Sequence, residues 1–515
     1  MTPLDPVLSA EAMRAADQAT IETWGVPGRV LMESAGRAAA REIVARFEVA
    51  GRDVTVLVGT GNNGGDGLVV VRVLAAHGAR VRALVLPGEG TPDRTANLHI
   101  LSRMAEHDTG VEVVPFEDVR QVANAPADLV VDALLGIGVT GELREPARAL
   151  CAWLNRAGAP VVALDVPSGL DATTGRAAED SVRADLTVAF GGIKTGLLLG
   201  DGPTLAGEVV TVEIGIPDAE LRAHATAWQA PRAWAGAHLP ERAADAHKYS
   251  AGRVFAVVGS RTFTGAAVLS TAAAYRSGAG AVVAAVPEPA APIVDARNAE
   301  VMVDAQPATG AGTLARIARE AVLDRAEAAD AVLVGCGLGR DDDTLALVRD
   351  LVEAVEAPLV LDADGLAAYA DDADVLRQRS GPLVLTPHLG ELRRLLNDDS
   401  FDPIDRIEAV RGLAQRWHAT LVFKGVPTVV GTPDGRVLIG PPGEPALATA
   451  GTGDTLAGTL VGLLAQGLDP DVAALCALWL GAEAARLWTA DHGATGLVAS
   501  DLIDRLPAAA HALRS

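Results

Sequence analysis

Cysteine and aromatic residues are scarce in this 515-residue chain, and each shortage excludes a class of protein. The three cysteines, Cys151, Cys336 and Cys476, are odd in number and stand far apart within apolar stretches. This pattern suits neither a disulfide framework nor a zinc site, so we expect three core thiols. Aromatic residues make up 3% of the chain and hydrophobic residues 49%, so the cores must be built from Ala, Val and Leu.

Positive charge is also in short supply. The chain has 43 Lys and Arg residues against 66 Asp and Glu residues, a formal net charge of −23. Such an excess repels nucleic acid and anionic membranes, so we expect neither as a partner. We see no uncharged apolar run of about 18 residues, and the first residues lack the basic-then-apolar pattern of a signal peptide. We therefore expect a cytoplasmic protein.

Short apolar runs alternate with amphipathic segments along the chain, which predicts an α/β fold with parallel sheets and helices on both faces. A chain of this length exceeds what one hydrophobic core usually supports, so we expect two domains. Residues 1–220 form the first predicted domain and residues 246–515 the second. Residues 221–245, rich in Ala, Arg and Trp with no clear strand, form the predicted linker.

A glycine-rich segment, Gly59–Gly67 (GTGNNGGDG), follows the predicted strand Val54–Val58 and precedes a predicted helix. We interpret its five glycines as a tight turn that lets the backbone approach a ligand, with free N–H groups for an anion at the helix start. It differs from the GxGxxG dinucleotide fingerprint. An ordinary strand-to-helix turn is the alternative, although such a turn needs only one or two glycines.

Two further loops follow predicted strands in the first half, at residues 132–142 (DALLGIGVTGE) and 165–171 (DVPSGLD). Ligands bind beyond the carboxyl ends of parallel strands, so we expect these loops and the glycine-rich segment to meet in one crevice. The oxygens of Asn63, Asp132 and Ser168 could hold a hard cation there, and Asp165 could move a proton. Helix capping is the structural alternative for Asp165 and Ser168.

These segments, together with Leu31–Ala39 (LMESAGRAA), resemble the N-terminal domain of the NAD(P)H-hydrate repair proteins. The resemblance implies a Rossmann-like three-layer αβα domain that epimerises the R and S forms of hydrated NADH and NADPH (NADHX and NADPHX). It implies a K⁺ ion bound by Asn63, Asp132 and Ser168, and Asp165 is our candidate acid/base group. The residues implied to bind the hydrate are Asn62, Asn63, Gly64, Gly65, Asp66, Gly136, Ile137, Gly138, Val139, Thr140, Gly141, Glu142 and Asp165.

The second half carries a Gly-Thr-Gly-Asp segment, Gly451–Asp454, at the start of a predicted apolar helix. Backbone N–H groups there could form an anion hole, and Asp454 could take a proton from a hydroxyl that attacks phosphorus. A capped helix is the structural alternative. Loops at residues 335–339, 386–391 and 424–428 also follow predicted strands, which favours a common site.

These motifs, with His247-Lys248 and residues 259–267, resemble the ribokinase-like NAD(P)HX dehydratase domain. The resemblance implies that the hydroxyl of the S hydrate attacks the terminal phosphorus of ADP, and that phosphate then leaves to give NAD(P)H, AMP and inorganic phosphate. Asp454 would be the base, with Mg²⁺ offsetting phosphate charge. The AMP contacts implied are Gly453, Asp454, Lys424, Gly425, Val426, Pro427 and Thr428, and the implied hydrate-site residues are Ala266, Gly337 and His388.

The order of the two resemblances matches the fused bifunctional bacterial enzyme, whose members use ADP, and we expect a homo-oligomer. Cys336, Ala450 and Phe263 depart from residues common in the family, while the glycines and Asp454 are kept. Two alternatives stay open at this point. One is a ribokinase-like thiazole or pyridoxal kinase that releases a phosphoester, and the other is a nucleotide-binding scaffold without catalysis.

Overall fold

The computed structural model describes residues 3–107, 110–123, 127–370 and 372–515, which form two compact units. The first unit comprises residues 6–227. The second comprises residues 228–515 together with the N-terminal residues up to Asp5. Each unit is a layered α/β structure with its own sheet, as the alternating apolar runs predict.

In the first unit, strands and helices alternate along the chain. Its strands are β1 (Asp5–Leu8), β2 (Asp53–Val58), β3 (Arg80–Val85), β4 (Val111–Pro115), β5 (Leu129–Ala133), β6 (Val161–Leu164), β7 (Leu186–Phe190), β8 (Ile193–Lys194) and β9 (Glu208–Val212). Its helices are α1 (Ala10–Glu22), α2 (Gly28–Arg46), α3 (Asn62–Ala76), α4 (Pro92–Ala105), α5 (Arg120–Ala123), α6 (Ala147–Leu154), α7 (Thr195–Leu198), α8 (Gly202–Leu205) and α9 (Asp218–Ala223).

The main sheet of this unit is parallel, in the order β4-β3-β2-β5-β6-β7-β9. The strands β5, β6 and β7 are buried throughout, because helices cover both faces of a parallel sheet. Separate apolar clusters line its faces, one packed against α2 and α3 and another against α6. The loops that follow β2, β5 and β6 therefore end at the same edge of the sheet.

The second unit has a longer series of elements. Its strands are β10 (Ala227–Gln229), β11 (Arg253–Val257), β12 (Ala281–Pro287), β13 (Met302–Gln306), β14 (Ala331–Val334), β15 (Leu359–Leu361), β16 (Leu383–Leu385), β17 (Thr420–Phe423), β18 (Val429–Gly431) and β19 (Val437–Ile439). Its α-helices are α10 (Arg232–His238), α11 (Thr264–Arg276), α12 (Ala291–Arg297), α13 (Arg319–Glu327), α14 (Asp342–Ala354), α15 (Leu389–Leu396), α16 (Arg406–Trp417), α17 (Thr452–Ala465), α18 (Pro470–His492) and α19 (Ala499–Arg514). Short 3₁₀ helices span Arg316–Ala318, Ala363–Tyr369, Ala373–Gln378 and Pro445–Leu447.

The sheet of the second unit runs β13-β12-β11-β14-β15-β16-β17-β18-β19-β10. It is parallel from β13 to β17, whereas β17, β18 and β19 pair antiparallel. Our expectation of parallel sheets missed this antiparallel end. Residues 424–428 join β17 to β18, and a connection that short can only turn back, because a parallel crossover needs a dozen or more residues.

The segment at residues 221–245 contains more structure than its composition indicates. We expected no strand there, but β10 pairs with β19 at Trp228 and Gln229. Helix α10 follows, and Trp234, Ala235 and Leu239 are buried in the core of the second unit. The strand was missed because three residues give no alternation to detect, and tertiary packing decides their conformation.

Two other expectations concern the core. All three cysteines are buried and unpaired, as expected. Within the described part of the chain, α18 alone is long and apolar enough to cross a membrane, and 61% of its most apolar window is buried inside the protein. Its buried residues belong to the core of the second unit.

Candidate active sites

The three loops of the first unit meet in a cavity of about 550 Å³. Its walls also include residues of α1 and α2 and the chain around β8. Of the predicted site residues, the cavity is lined by Asn62, Asn63, Asp66, Gly136, Ile137, Gly138, Val139 and Asp165. Gly64, Gly65, Thr140, Gly141, Glu142, Asp132 and Ser168 lie in or beside the same loops but outside this lining.

The glycine-rich segment differs in detail from the turn that its composition predicts. Helix α3 begins inside it, at Asn62, and its glycines do not have positive φ angles. Four of the five glycines permit close packing instead, whereas a Cβ on Gly61 would meet no atom of the described residues within 4 Å. A Cβ on Gly64 would lie 2.2 Å from the carbonyl oxygen of Gly59, and one on Gly67 would lie 2.5 Å from the Cβ of Ala133. The segment therefore seats the start of α3 directly against β2 and β5.

A buried polar cluster joins the three predicted cation ligands. The Ser168 hydroxyl donates to Asp132 Oδ1 over 2.7 Å, and the Ser168 amide donates to Asp132 Oδ2 over 2.8 Å. Burial raises the pKa of Asp132 to about 6, although these hydrogen bonds lower it in part. Asn63 donates from Nδ2 to the carbonyl of Leu135, while its buried Oδ1 has no hydrogen-bond partner among the described residues. An oxygen left in this state is a ready ligand for a cation.

Asp165 stands in the left-handed region, with φ of 66°, immediately after β6. Its carboxylate accepts hydrogen bonds from the backbone N–H of Phe190 and from the ammonium group of Lys194. Lys194 is completely buried and donates a second hydrogen bond to the carbonyl of Phe190, 2.7 Å away. Lys194 is therefore a cation of the crevice and not a surface residue.

Two more carboxyl groups line this cavity, those of Asp66 on α3 and Asp17 on α1. Burial raises the pKa of both, and in each case the Asp165 carboxylate raises it further. Sequence reasoning missed Asp17. A usable signal existed, because Met13, Ala16 and Thr20 are buried on the same helix, and Asp17 adjoins them in the helical pattern.

The second unit has its own cavity, of about 450 Å³, beside the start of α17 and the loop after β17. Of the residues that the resemblance implies for AMP, Lys424, Gly425, Val426, Thr428 and Gly453 line this cavity, whereas Pro427 and Asp454 lie outside the lining. The other lining residues are mostly apolar and include Leu447, Ala448, Leu456, Ala477, Leu478 and Leu502. Such a pocket suits a flat, weakly polar ring system at one end and phosphate groups at the other.

Helix α17 starts as its sequence predicts. Gly451 precedes it with φ of 89°, a left-handed conformation that favours glycine, so the following N–H groups are free of a side-chain cap. Asp454 lies in the first turn and is partly buried. Burial and the neighbouring Asp362 carboxylate raise the pKa of Asp454 to about 6, which suits a group that takes and releases a proton near neutral pH.

Asp362, which sequence reasoning missed, is the most connected carboxylate of this site. It follows β15, is 1% exposed, and accepts hydrogen bonds from the Thr386 hydroxyl (2.7 Å) and the Lys424 ammonium (2.8 Å). The Cys336 thiol lies 3.9 Å from Asp362 and also interacts with Asp454. A signal was available in the sequence. Asp362 directly follows a strand, as do the loops that we selected from the sequence.

Lys424 links the site to the loop that follows β16. Its ammonium group lies 3.7 Å from Glu391 as well as bonding to Asp362. Burial opposes its charge, but these two carboxylates outweigh that effect and raise the pKa of Lys424. His388 caps α15 by accepting hydrogen bonds from the amides of Gly390 and Glu391.

The three residues predicted to line a hydrate site are placed near this network. Gly337 has φ of 67°, and a Cβ there would lie 2.8 Å from the Cβ of Ala266. The side chain of His388 is 54% exposed and stands 3.5 Å from Glu391. Among the described residues, there is no group of three or more His, Cys, Asp or Glu side chains arranged for a metal.

Comparison with known proteins agrees with both halves of this description. The family described as NAD(P)H-hydrate dehydratase matches residues 254–508, and the family described as YjeF-related protein N-terminus matches residues 28–196. A crystal structure of an ADP/ATP-dependent NAD(P)H-hydrate dehydratase from Bacillus subtilis is 31% identical, with a TM-score of 0.47, over 55% of this chain and 97% of that chain.

Full-length relatives carry the fused arrangement. The bifunctional NAD(P)H-hydrate repair enzyme Nnr of Salinibacter ruber is 45% identical over 98% of this chain and 95% of its own length. Its namesake in Moorella thermoacetica is 40% identical over 97% of this chain and 96% of its own length. The chain therefore belongs to the family of bifunctional NAD(P)H-hydrate repair enzymes.

Proposed function

We propose that this protein repairs hydrated nicotinamide nucleotides with two activities, one in each unit. The first unit epimerises R- and S-NAD(P)HX, and the second dehydrates the S form to NAD(P)H with ADP as co-substrate. The observation that carries this proposal is the presence of a crevice in each unit: Asp165 lines the first, and Asp454 lies between Gly453 and Thr455, which line the second. The relatives' names supply the substrate.

In the first unit, Asp165 is the proposed acid/base group. Its carboxylate is held by Lys194 and by the Phe190 amide, so it keeps one position in the cavity. Inverting a carbon that bears a hydroxyl beside the ring nitrogen needs proton transfer, and a carboxylate fixed beside the bound ring supplies it. The segments Asn62–Asp66 and Gly136–Glu142 are the proposed hydrate-binding residues.

A potassium ion fits the polar cluster beside this cavity. The unpartnered Oδ1 of Asn63 is one oxygen ligand, and the Asp132 carboxylate and the Ser168 oxygen supply others. Asp132 accepts three hydrogen bonds in this cluster, which leaves part of its acceptor capacity free. When bound, the ion would supply positive charge for a phosphate or hydroxyl oxygen, and the three residues named would hold it.

In the second unit, Asp454 is the proposed base for phosphoryl transfer. It would remove the proton from the hydroxyl of S-NAD(P)HX as that oxygen attacks the terminal phosphorus of ADP. Breaking the bond to the bridging oxygen releases AMP and leaves a phosphate ester on the ring carbon. The ester then departs as inorganic phosphate, and the neighbouring ring carbon loses a proton, so the double bond of NAD(P)H is restored. The step works because phosphate is a far better leaving group than hydroxide. Backbone N–H groups at Gly453 and the ammonium of Lys424 would hold phosphate oxygens.

A magnesium ion fits this chemistry as a companion of the nucleotide. Mg²⁺ usually binds through one or two carboxylates together with substrate phosphates, and Asp362 and Asp454 are two carboxylates in the same site. When bound, the ion would offset phosphate charge. Lys424 holds Asp362 in place, so the residues that meet the ion are already ordered.

Product analysis tests the proposal directly. The full chain is incubated with mixed R and S hydrates and either ADP or ATP, and NADH absorbance, AMP and phosphate are measured together. We expect NADH, AMP and phosphate in equal amounts with ADP. A stable phosphoester without NADH would indicate a kinase, and binding without turnover would indicate a scaffold.

We also propose a cytoplasmic, homo-oligomeric protein. The acidic composition and the packing of α18 into the core of the second unit support a protein free of the membrane. Size-exclusion chromatography with light scattering tests the oligomeric state, and a monomer at micromolar concentration would contradict it.

A further inference from the structure

The crevice of the first unit contains more carboxyl groups than available cations. Asp17, Asp66 and Asp165 all line it, and the ammonium of Lys194 is bonded to Asp165. Arg14 reaches the cavity too, but its guanidinium donates to a backbone carbonyl 2.9 Å away. Ionising a second and third buried carboxyl group without a matching cation is unfavourable, so this set retains at least one proton.

Asp66 is the least compensated member of the set. It is 8% exposed, and none of the hydrogen bonds among the described residues reaches its carboxyl group. Burial raises its pKa well above the usual value, the Asp165 and Asp17 carboxylates raise it further, and Lys194 opposes them. A nine-tenths buried, unpartnered acid that lines a ligand cavity has no structural use there, which points to a role toward the ligand.

The other charged groups that neighbouring elements bring near Asp66 have partners. Asp93 on α4, which also lines the cavity, lies 3.8 Å from the Arg29 guanidinium. From α4, Arg94 donates its guanidinium hydrogen bonds to the backbone carbonyls of Gly59 and Leu86. From α2, Glu33 is paired with Arg72 at 2.5 Å. The charges that act on Asp66 are therefore those of the crevice itself.

We propose that Asp66 is the proton donor of the epimerisation and that Asp17 is a positioning residue whose negative charge keeps Asp66 protonated. This inference rests on the proposed epimerase function of the first unit. Asp165, held by Lys194, is the complementary base. Two carboxyl groups in one site, one protonated and one ionised, divide the acid and base roles between them.

The reaction that this arrangement performs is exchange of water at the hydrated carbon. Asp66 gives its proton to the hydroxyl, the carbon–oxygen bond breaks, and the lone pair of the ring nitrogen forms a carbon–nitrogen double bond as water leaves. Water then adds to the opposite face, its surplus proton passes to Asp165, and the double-bond electrons return to nitrogen. One proton has moved from Asp66 to Asp165, and the reverse reaction or exchange with solvent returns it.

The charge of the crevice suits this path. The intermediate formed when water leaves is a cation, and an acidic cavity stabilises positive charge that develops in the reaction. A ring bound between the carboxyl groups would meet negative potential from Asp17 and Asp165 at the moment the carbon–oxygen bond breaks.

The first test is the pH profile of epimerisation by the full chain without ADP, followed by chromatography of the R and S hydrates. We expect the rate to fall at alkaline pH as Asp66 loses its proton. Asp66→Asn should lose about 100-fold or more and abolish that alkaline limb. Asp17→Asn should stay active with the limb moved to lower pH by about one unit, because one repelling charge is gone.

Glu22→Gln is the matched control for Asp17→Asn. Glu22 lies on the same helix, is exposed, and accepts a hydrogen bond from Gln18 at 2.9 Å. Removing its charge should change neither the rate nor the alkaline limb. If Glu22→Gln moves the limb as far as Asp17→Asn does, the effect is one of overall charge and the role of Asp17 is refuted.

The second test detects the protonation of Asp66 through protein stability and needs no activity assay. A carboxyl group whose pKa is raised by folding makes the folded state less stable as pH rises above the unfolded-state value of about 4. The unfolding temperature of the wild-type protein should fall as the pH rises above about 4, and Asp66→Asn should remove part of that fall. An unchanged alkaline limb and an unchanged stability profile in Asp66→Asn would overturn the proposal. Absence of epimerisation in the wild type would instead reject the proposed function.

Discussion

The two units place and surround their proposed catalytic aspartates differently, since Asp165 directly follows β6 whereas Asp454 lies in the first turn of α17. In the first unit the buried lysine, Lys194, bonds to the proposed catalytic aspartate, Asp165. In the second unit Lys424 bonds to the neighbouring Asp362, and among the described residues the carboxylate of the proposed base Asp454 is hydrogen-bonded to the Cys336 thiol and not to a lysine. A lysine bonded to the base fixes it as a carboxylate, whereas a lysine held beside the base remains available to substrate phosphates. The bonding partner of the buried lysine therefore distinguishes the two sites.

The largest expected effect is the loss of dehydration in the second unit, whose proposed base, Asp454, is not bonded to a lysine in the described part of the chain. Asp454→Asn should lower dehydration by about three to four orders of magnitude, because the neighbouring carboxylate, Asp362, is already bonded to Lys424 and Thr386. Epimerisation should keep the wild-type rate. The measurement is NADH formation from S-NADHX and ADP, with hydrate interconversion followed in parallel. Loss of both activities in a folded protein would refute one reaction per unit.

The counterpart in the first unit is Asp165→Asn. We expect epimerisation to fall by about two to three orders of magnitude, less than for the other unit because a second acid remains in the crevice. Mixed hydrates with ADP should then be consumed only in their S half, apart from slow spontaneous epimerisation. Rapid, complete consumption would contradict the role of Asp165.

The two lysines give a sharper comparison. Lys194→Met leaves a buried carboxylate without its cation, which costs about 3–5 kcal/mol of stability. Lys424→Met should cost less, about 1–3 kcal/mol, because the Lys424 side chain is 20% exposed whereas that of Lys194 is completely buried, so solvent screens the Lys424 pair in part. Hydrogen exchange of peptides from residues 160–200 and 355–430 measures each unit separately. Equal local losses would show that the lysine partners are equivalent.

The smallest expected effect is the pH dependence of the dehydration rate. Asp454 must be ionised to accept a proton, and burial raises its pKa to about 6. Dehydration should therefore fall about tenfold for each pH unit below that value and level off above it. Initial rates from pH 5 to 8 at saturating ADP check this. A rate that is flat down to pH 5 would mean that Asp454 is not the group that titrates.

The sequence predicted those parts of the sites that depend on strand order and glycine spacing. The loops after β2, β5 and β6 meet as expected, and Gly451 precedes α17 in the predicted place. The family and the two-activity reading are confirmed by the comparisons, while the individual site assignments remain predictions. The antiparallel β18 and β19 and the short β10 were missed, because strands of three residues carry almost no periodic signal.

The residues that sequence reasoning missed share a physical cause. Asp17 and Asp362 belong to no glycine-rich segment, and each reaches its site only through tertiary contacts. We interpreted the glycines of residues 59–67 as a tight turn, but α3 begins inside the segment and four of the five glycines permit close packing. The glycine content of a segment indicates that its backbone packs closely against a neighbour, but only the fold shows whether that neighbour is a ligand or another part of the chain.

Complementation between two single variants tests the central claim of one reaction per unit most directly. Mixed R and S hydrates are incubated with ADP and Asp165→Asn alone, with Asp454→Asn alone, and with both proteins together. With Asp165→Asn alone, NADH should equal the amount of S hydrate. With Asp454→Asn alone, almost no NADH should form. With both proteins together, NADH should equal the total amount of hydrate. If the mixture stops at the S half, or if Asp454→Asn alone forms NADH at the wild-type rate, the assignment of the two reactions to the two units is wrong.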